Sequence, residues 1–188
     1  MLKRLMCIAT LSLLALSLPP ARADEYSDTI SIFKEAGESG NFFNTAYGYA
    51  VFPTIGKGGI VVGGAYGTGR VYEKGTAIGD TTMTQLSVGL QLGGQAYSEI
   101  IFFQDARALK EFTSGDFEFG ADASVVAITA GANAKASTTG VSAGASGGKR
   151  DATTVGKYNK GMATFTVAKG GLMYEATITG QKFGFKPH

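Results

Sequence analysis

A chain of 188 residues, 44% of them hydrophobic and 17% charged, is too apolar for a disordered segment and long enough for one domain with a sizeable core. Its formal charge of +2 provides no broad basic face to hold nucleic acid by counterion release. The one cysteine, Cys7, lies near the start of the chain and the one histidine, His188, is its last residue, so no Ser–His or Cys–His nucleophilic arrangement and no zinc site of the usual kind is expected.

The first element is a leader. Lys3 and Arg4 precede an apolar run from Leu5 to Leu18, Pro19-Pro20 break it, and Ala21-Arg22-Ala23 forms a small-x-small cleavage site. The run is too short for a comfortable membrane span. Residues 1–23 are expected to be a Sec signal peptide and residues 24–188 a single exported domain, in the periplasm or on the periplasmic face of the envelope. Lys3, Arg4 and Arg22 leave with the leader, taking the formal charge from +2 to −1. Cys7 leaves too, so disulfides are excluded.

Asp24 to Gly40 predicts a short amphipathic helix, with Tyr26, Ile30, Phe33 and Ala36 on one face. The remaining charges are mostly acidic: Asp24, Glu25, Asp28, Glu35 and Glu38 against Lys34. A helix lying on a membrane usually carries Lys and Arg there instead. Short strands are expected at Tyr49–Phe52, Gly59–Ala65 and Arg70–Glu73, joined by glycine-bearing turns, with another turn at Lys74-Gly75. From Met83 to Leu92 the alternation is strict, and it predicts a buried face of Leu86, Val88, Leu90 and Leu92 and a wet face of Gln85, Ser87, Gly89 and Gln91. Ile100 to Phe103 is apolar throughout and reads as a strand buried on both faces. Asp105 caps a second helix that runs to Phe112.

Beyond it, Phe117, Phe119, Ala121 and Ala123 alternate with Asp116, Glu118, Gly120 and Asp122. Ala130 to Gly148 is a small-residue tract that suits either a slender hairpin or a loop. Two further strands are expected around Met162–Ala168 and Leu172–Thr179, separated by a turn at Lys169-Gly170-Gly171. The pattern predicts a β-rich α+β domain of about eight to ten mostly antiparallel strands, sandwich or barrel-like. A short N-terminal helix and one mid-chain helix complete it.

Little in the chain suggests catalysis. Asp116, Glu118 and Asp122 share a strand face and could converge on a cation, but a solvated face accounts for them as well. Gly56-Lys57 is not followed by Ser or Thr, so no phosphate loop is present. Gly59, Gly63 and Gly67 have the spacing of a membrane-helix packing motif, in a segment too short to span. No catalytic set, metal site or cofactor is expected, and turn or strand-crossing roles account for the glycines. Phe42 and Phe43 lie close to Tyr47 and Tyr49, and core packing accounts for them. Exposed on a rim, the same rings would insert into a lipid headgroup layer, with Lys57, Arg70 and Lys74 adding positive charge. Each basic group near an anionic surface contributes about 1 kcal/mol.

Several short motifs follow one another in a fixed order. They are Ala50-Val51-Phe52-Pro53, Lys57-Gly58-Gly59 leading to Val62-Gly63-Gly64, and Tyr66-Gly67-x-Gly69. Then come Gly89 to Gln95, Glu99 to Phe103, Ala108-Leu109 with Phe112, Phe119 to Val125, and Lys169 to Met173. In this order they resemble the SYLF domain over nearly all of residues 24–188. The resemblance implies an α+β domain that binds membrane lipids, phosphoinositides or other anionic phospholipids, and in eukaryotic members also actin filaments. An exported member meets phospholipid and no cytoplasmic actin. The expected function is therefore a non-enzymatic module for anionic phospholipid, with no nucleic-acid partner. A small outer-membrane β-barrel or a periplasmic protein-interaction domain is the alternative. The chain departs from the family in its acidic first helix, its lack of tryptophan and an apparent insertion near Val141–Tyr158.

Overall fold

The computed structural model describes residues 22–59, 62–88, 94–120, 123, 125–128, 156–169, 178 and 180–188. Two helices, α1 (Arg22–Glu35) and α2 (Gly37–Phe42), precede four long strands: β1 (Gly48–Gly59), β2 (Val62–Glu73), β3 (Thr76–Val88) and β4 (Gln95–Phe103). Helix α3 (Ala106–Phe112) and the short strands β5 (Phe117–Glu118) and β6 (Val125–Ile128) follow, and then β7 (Met162–Lys169) and β8 (Gln181–Pro187). All eight strands form one sheet in the order β5-β8-β3-β2-β1-β4-β7-β6, curled into a half-barrel. Every pairing is antiparallel except β6 with β7. The architecture is the expected β-rich α+β domain, with barrel-like curvature in a single sheet.

Side-chain alternation divides the core in two. On the concave face Phe52, Ile55, Met83, Ile101, Phe103 and Phe183 pack with Leu109 and Phe112 of α3 and with Phe119. On the convex face Val51, Ile100, Phe102, Phe165 and Val167 pack beneath Phe33 of α1 and the rings of Phe42 and Phe43. Strand β4 contributes to both clusters, so Ile100 to Phe103 are fully buried, as their continuous apolarity predicts. The Asp105 cap is also as expected, its side chain accepting from Ala108 N at 2.8 Å.

Three details differ from the sequence reading. The N-terminal helix is broken at Ala36, whose backbone is extended, and the chain folds back there. Ser39 Oγ then donates to Phe33 O at 2.6 Å, which fixes the return. Second, β1 and β2 are single long strands, and Gly56, Gly58, Gly67 and Gly69 lie inside them instead of in turns. Phe52 and Ile55 of β1 lie flat over β2, where a Cβ at Gly69 would come within 2.6 Å of the Phe52 ring and one at Gly67 within 2.6 Å of Ile55 Cγ1. Glycine here makes room for the core. The expected turn at Lys74-Gly75 does form, with both residues at positive φ (49° and 84°). Third, the two sides of β3 are exchanged from Met83 to Leu86, while residues 89–92 of the predicted strand lie outside the described residues. Met83 and Gln85 are buried, and Leu86 points outward with 86% of its surface exposed. Register fixes this parity, because Met83 pairs with Phe183 and Gly67 across the concave face. The predicted tract at 130–148 and most of the predicted strand at 172–179 lie outside the described residues; β8 was not anticipated.

Gly69→Ala should separate β1 from β2 and lower stability by about 1–3 kcal/mol in chemical denaturation, because Val51 O also lies 2.8 Å from the added carbon. Gly56→Ala, with nothing within 4 Å, should change it by less than about 0.5 kcal/mol.

Candidate functional site

The five residues singled out in the sequence do not form one patch. Phe42 and Phe43 are half-buried bolts between α2 and the sheet. Phe42 meets Phe165 at 5.0 Å and Phe102 at 5.4 Å between ring centroids, and Phe43 meets Phe102 edge-on at 4.9 Å. Lys74 sits in the β2–β3 turn with Nζ 4.9 Å from the Tyr47 ring. Lys57 lies near the other end of β1, paired with Ala65, which puts it on the concave side. Nine residues of extended strand, about 30 Å, separate those two ends. Arg70 alone faces the convex side in mid-sheet, opposite Val51 and Asp80.

Helices α1 and α2 roof the convex face over β1, β4 and β7 and reach β2 at Arg70, where Tyr26 lies over the guanidinium, and among the described residues nothing covers the rest of β2, β3 and β8 on that face. On the bare half the register sets three ranks across the strands: Tyr66–Thr84–Lys182, Thr68–Thr82–Gly184 and Arg70–Asp80–Lys186. Tyr66 is 57% exposed, and Leu86 lies diagonally beside it because Gly64 pairs with Leu86 and Tyr66 with Thr84. At the opposite end, where α1 meets the bare half, a groove of about 410 Å³ is lined by Tyr26, Thr68, Arg70, Asp80, Thr82 and Lys186 among others.

Electrostatics orders this groove. Arg70 Nε donates to Asp80 Oδ1 at 3.0 Å, and its guanidinium carbon lies 4.7 Å from the Tyr26 ring centroid. His188 Nε2 approaches Asp80 Oδ2 at 3.2 Å. Partial burial works to raise the Asp80 carboxyl, but the bonds from Arg70 and His188 outweigh it and hold the group below the usual carboxylate range. The Asp80 bond in turn raises Arg70. Lys186 and the Thr68 and Thr82 side chains are exposed beside this pair.

A second polar group is hidden inside the half-barrel. Glu99 is fully buried on the concave face, where Gln181 Nε2 donates to its Oε2 at 3.0 Å and lies 3.3 Å from the Tyr97 hydroxyl. Burial pushes the Glu99 carboxyl up to about 8, against the lowering effect of the Gln181 bond, and burial raises Tyr97 as well. The sequence reading missed Glu99 as a site. Period-two spacing was the available signal, since it puts Glu99 on the same face as Ile101 and Phe103.

Neither group has the geometry of a nucleophile and base. Asp116 and Glu118 are exposed, Glu118 pairs with Lys182 at 3.4 Å, and Asp122 lies outside the described residues. Among the described residues no three His, Cys, Asp or Glu side chains gather for a metal ion. No described helix is long and apolar enough to cross a membrane.

Comparison with known proteins gives two matches. Residues 84–186 match the Ysc84 family, described as Las17-binding protein actin regulator. Beta cell expansion factor A of Aeromonas veronii is 29% identical over 156 residues, which cover 82% of this chain and 51% of that protein. The chain thus spans about half the length of the curated relative it matches.

Glu99 has a folded pKa of about 8 against an ordinary value of 4.5, so the folded state holds its proton more tightly than the unfolded state. That stability is complete below pH 4.5 and is lost as pH rises toward 8, by about 1.4 kcal/mol per unit. Thermal unfolding of Glu99→Gln in dilute buffer should therefore give a higher Tm than the parent protein, with a gap that widens from pH 5 to pH 8.

Proposed function

The chain belongs to the Ysc84 (SYLF) family, and from that membership we propose that it is an exported, non-catalytic module that docks on phospholipid membranes bearing anionic headgroups. The observation that carries this reading is the bare half of the convex sheet face, with Leu86 and Tyr66 exposed at one end and the Arg70–Lys186 groove at the other. Burying a leucine side chain in the interfacial layer contributes about 2 kcal/mol. The cations at the far end would meet phosphate, and the exposed threonine hydroxyls between them are suited to donate to headgroup oxygens.

Charge on the rest of the molecule favours the same orientation. Glu25, Asp28 and Glu35 are exposed on α1, and an anionic surface would repel that side. Arg70 and Lys182 are already paired with Asp80 and Glu118, which keeps the electrostatic contribution modest and easily screened. Among the five residues suggested by the sequence, Arg70 belongs to this surface. The actin-regulator description belongs to the family, and an exported chain would meet lipid and no cytoplasmic filament. The concave face, filled by Phe52, Phe103, Phe112 and Phe183, suits a packed core better than the polar lumen of an outer-membrane barrel.

Liposome flotation checks the reading. The protein should float with anionic vesicles and much less with zwitterionic ones, and binding should fall as salt rises from about 0.01 to about 0.15 M, where the Debye length shrinks from about 30 to about 8 Å. Leu86→Asp and Tyr66→Asp should each weaken flotation several-fold, and Lys186→Glu should reduce it mainly at low salt. Lys74→Ala should leave it unchanged. Equal flotation of the parent protein with zwitterionic and anionic vesicles at all salts would refute the anionic-surface reading.

A further inference from the structure

Inside the half-barrel the described protein atoms leave the Glu99 carboxyl incompletely satisfied. It is fully buried, opposite Phe52 on β1 and Thr166 on β7. Among the described residues its one hydrogen-bond donor is the neutral amide of Gln181, and no basic side chain forms an ion pair with it. The one other titratable group against it, among the described residues, is Tyr97, two residues back on the same strand face.

Three oxygens from three strands share this problem. Glu99 Oε1 on β4, Gln181 Oε1 on β8 and Thr166 Oγ1 on β7 are all buried without a hydrogen-bond partner. Buried polar atoms in folded proteins are nearly always paired, so such a group calls for a missing partner. Alternation places all three on the concave face. Thr166 is the direct cross-strand neighbour of Glu99, and the Gln181 amide is anchored to the other oxygen of the same carboxyl. A proton on Glu99 Oε1 can be donated to only one of the other two oxygens, so protonation by itself leaves one of the three without a partner.

We propose that the concave core binds one monovalent metal cation, Na⁺ or K⁺, through Glu99 Oε1, Gln181 Oε1 and Thr166 Oγ1, with the Tyr97 hydroxyl as a further oxygen donor. All four ligands are hard oxygens, which select alkali and alkaline-earth ions over zinc or copper. Charge then chooses between those two groups. One carboxylate neutralises one positive charge, whereas Mg²⁺ or Ca²⁺ would leave an excess charge in an apolar core. The ion would tie β4 and β7 to β8, strands from opposite halves of the sheet. The competing occupant is a water molecule beside a protonated Glu99, which offers the same contacts and the same total charge.

Cation and proton compete for one carboxylate, which gives a direct test. Protein carrying ¹³C-carboxyl glutamate is titrated by NMR in NaCl, in KCl and in the chloride of N-methylglucamine, a cation too large for the site, each at about 0.15 M. The Glu99 midpoint should be lower by about one unit or more in one of the metal salts, and should fall by one further unit for each tenfold rise in that ion above its Kd. The same midpoint in all three salts overturns the proposal and assigns the site to water and a proton. Thr166→Val should abolish the ion-dependent shift while Glu99 still titrates. A folded Thr166→Val protein that keeps the full shift would overturn this ligand set, and the titration of the parent protein stands whether or not that variant folds.

Discussion

Strand β4 is the constraint on which the rest of the molecule depends. It is paired on both edges, with β1 and β7, and buried on both faces from Tyr97 to Phe103. Ile100 and Phe102 face the helical roof while Ile101 and Phe103 face the interior, so one strand keys two cores together. A slip of one residue would exchange those sets and push Glu99 into the roof. The same parity explains why a carboxyl is buried at all: Glu99 is carried inward by the strand that Ile101 and Phe103 anchor.

From that strand the sheet extends unequally. Toward β7 the convex side is roofed by α1 and α2, held by a chain of ring contacts from Phe43 through Phe102 to Phe165. Toward β3 and β8 no described element forms a roof, and the described convex residues are small, polar or charged, with Tyr66 and Leu86 as the exceptions. The concave side stays closed there because Phe52 and Ile55 lie over the glycines of β2. Such a sheet half can be stable and uncovered at once. That combination suits a surface that meets a large flat partner, whereas a catalytic pocket would need converging titratable groups.

Much of the fold was legible in the sequence. The apolar run at Ile100–Phe103, the Asp105 cap and the Lys74-Gly75 turn each have a local cause, and each is present in the structure. The misreadings share a physical origin: they concern facts fixed by partners far away in the chain. Gly67 and Gly69 look like turn residues locally, and only Ile55 and the Phe52 ring of β1, lying over them, show why they belong inside a strand. Leu86 looks like a core residue from its own neighbours, yet pairing with β8 turns it outward. For the same reason the site was only partly readable. Lys57, Arg70 and Lys74 are close in sequence, but strand direction sends them to different ends and faces, and Lys186 reaches Arg70 only through the β3–β8 register. Gln181 and Thr166 gave no local signal, since what marks them is their position around Glu99.

The central claim is that the bare half of the convex face meets the membrane and the helical roof beside it does not. An environment-sensitive label on a single cysteine tests it most directly, in a Cys7→Ser background with one cysteine placed at Leu86 or at exposed Asn44 beside the roof. With anionic vesicles the account predicts a blue-shifted, quencher-protected signal at position 86 and an unchanged one at position 44. Protection at 44 with none at 86 would contradict it, and would assign membrane contact to the helical side.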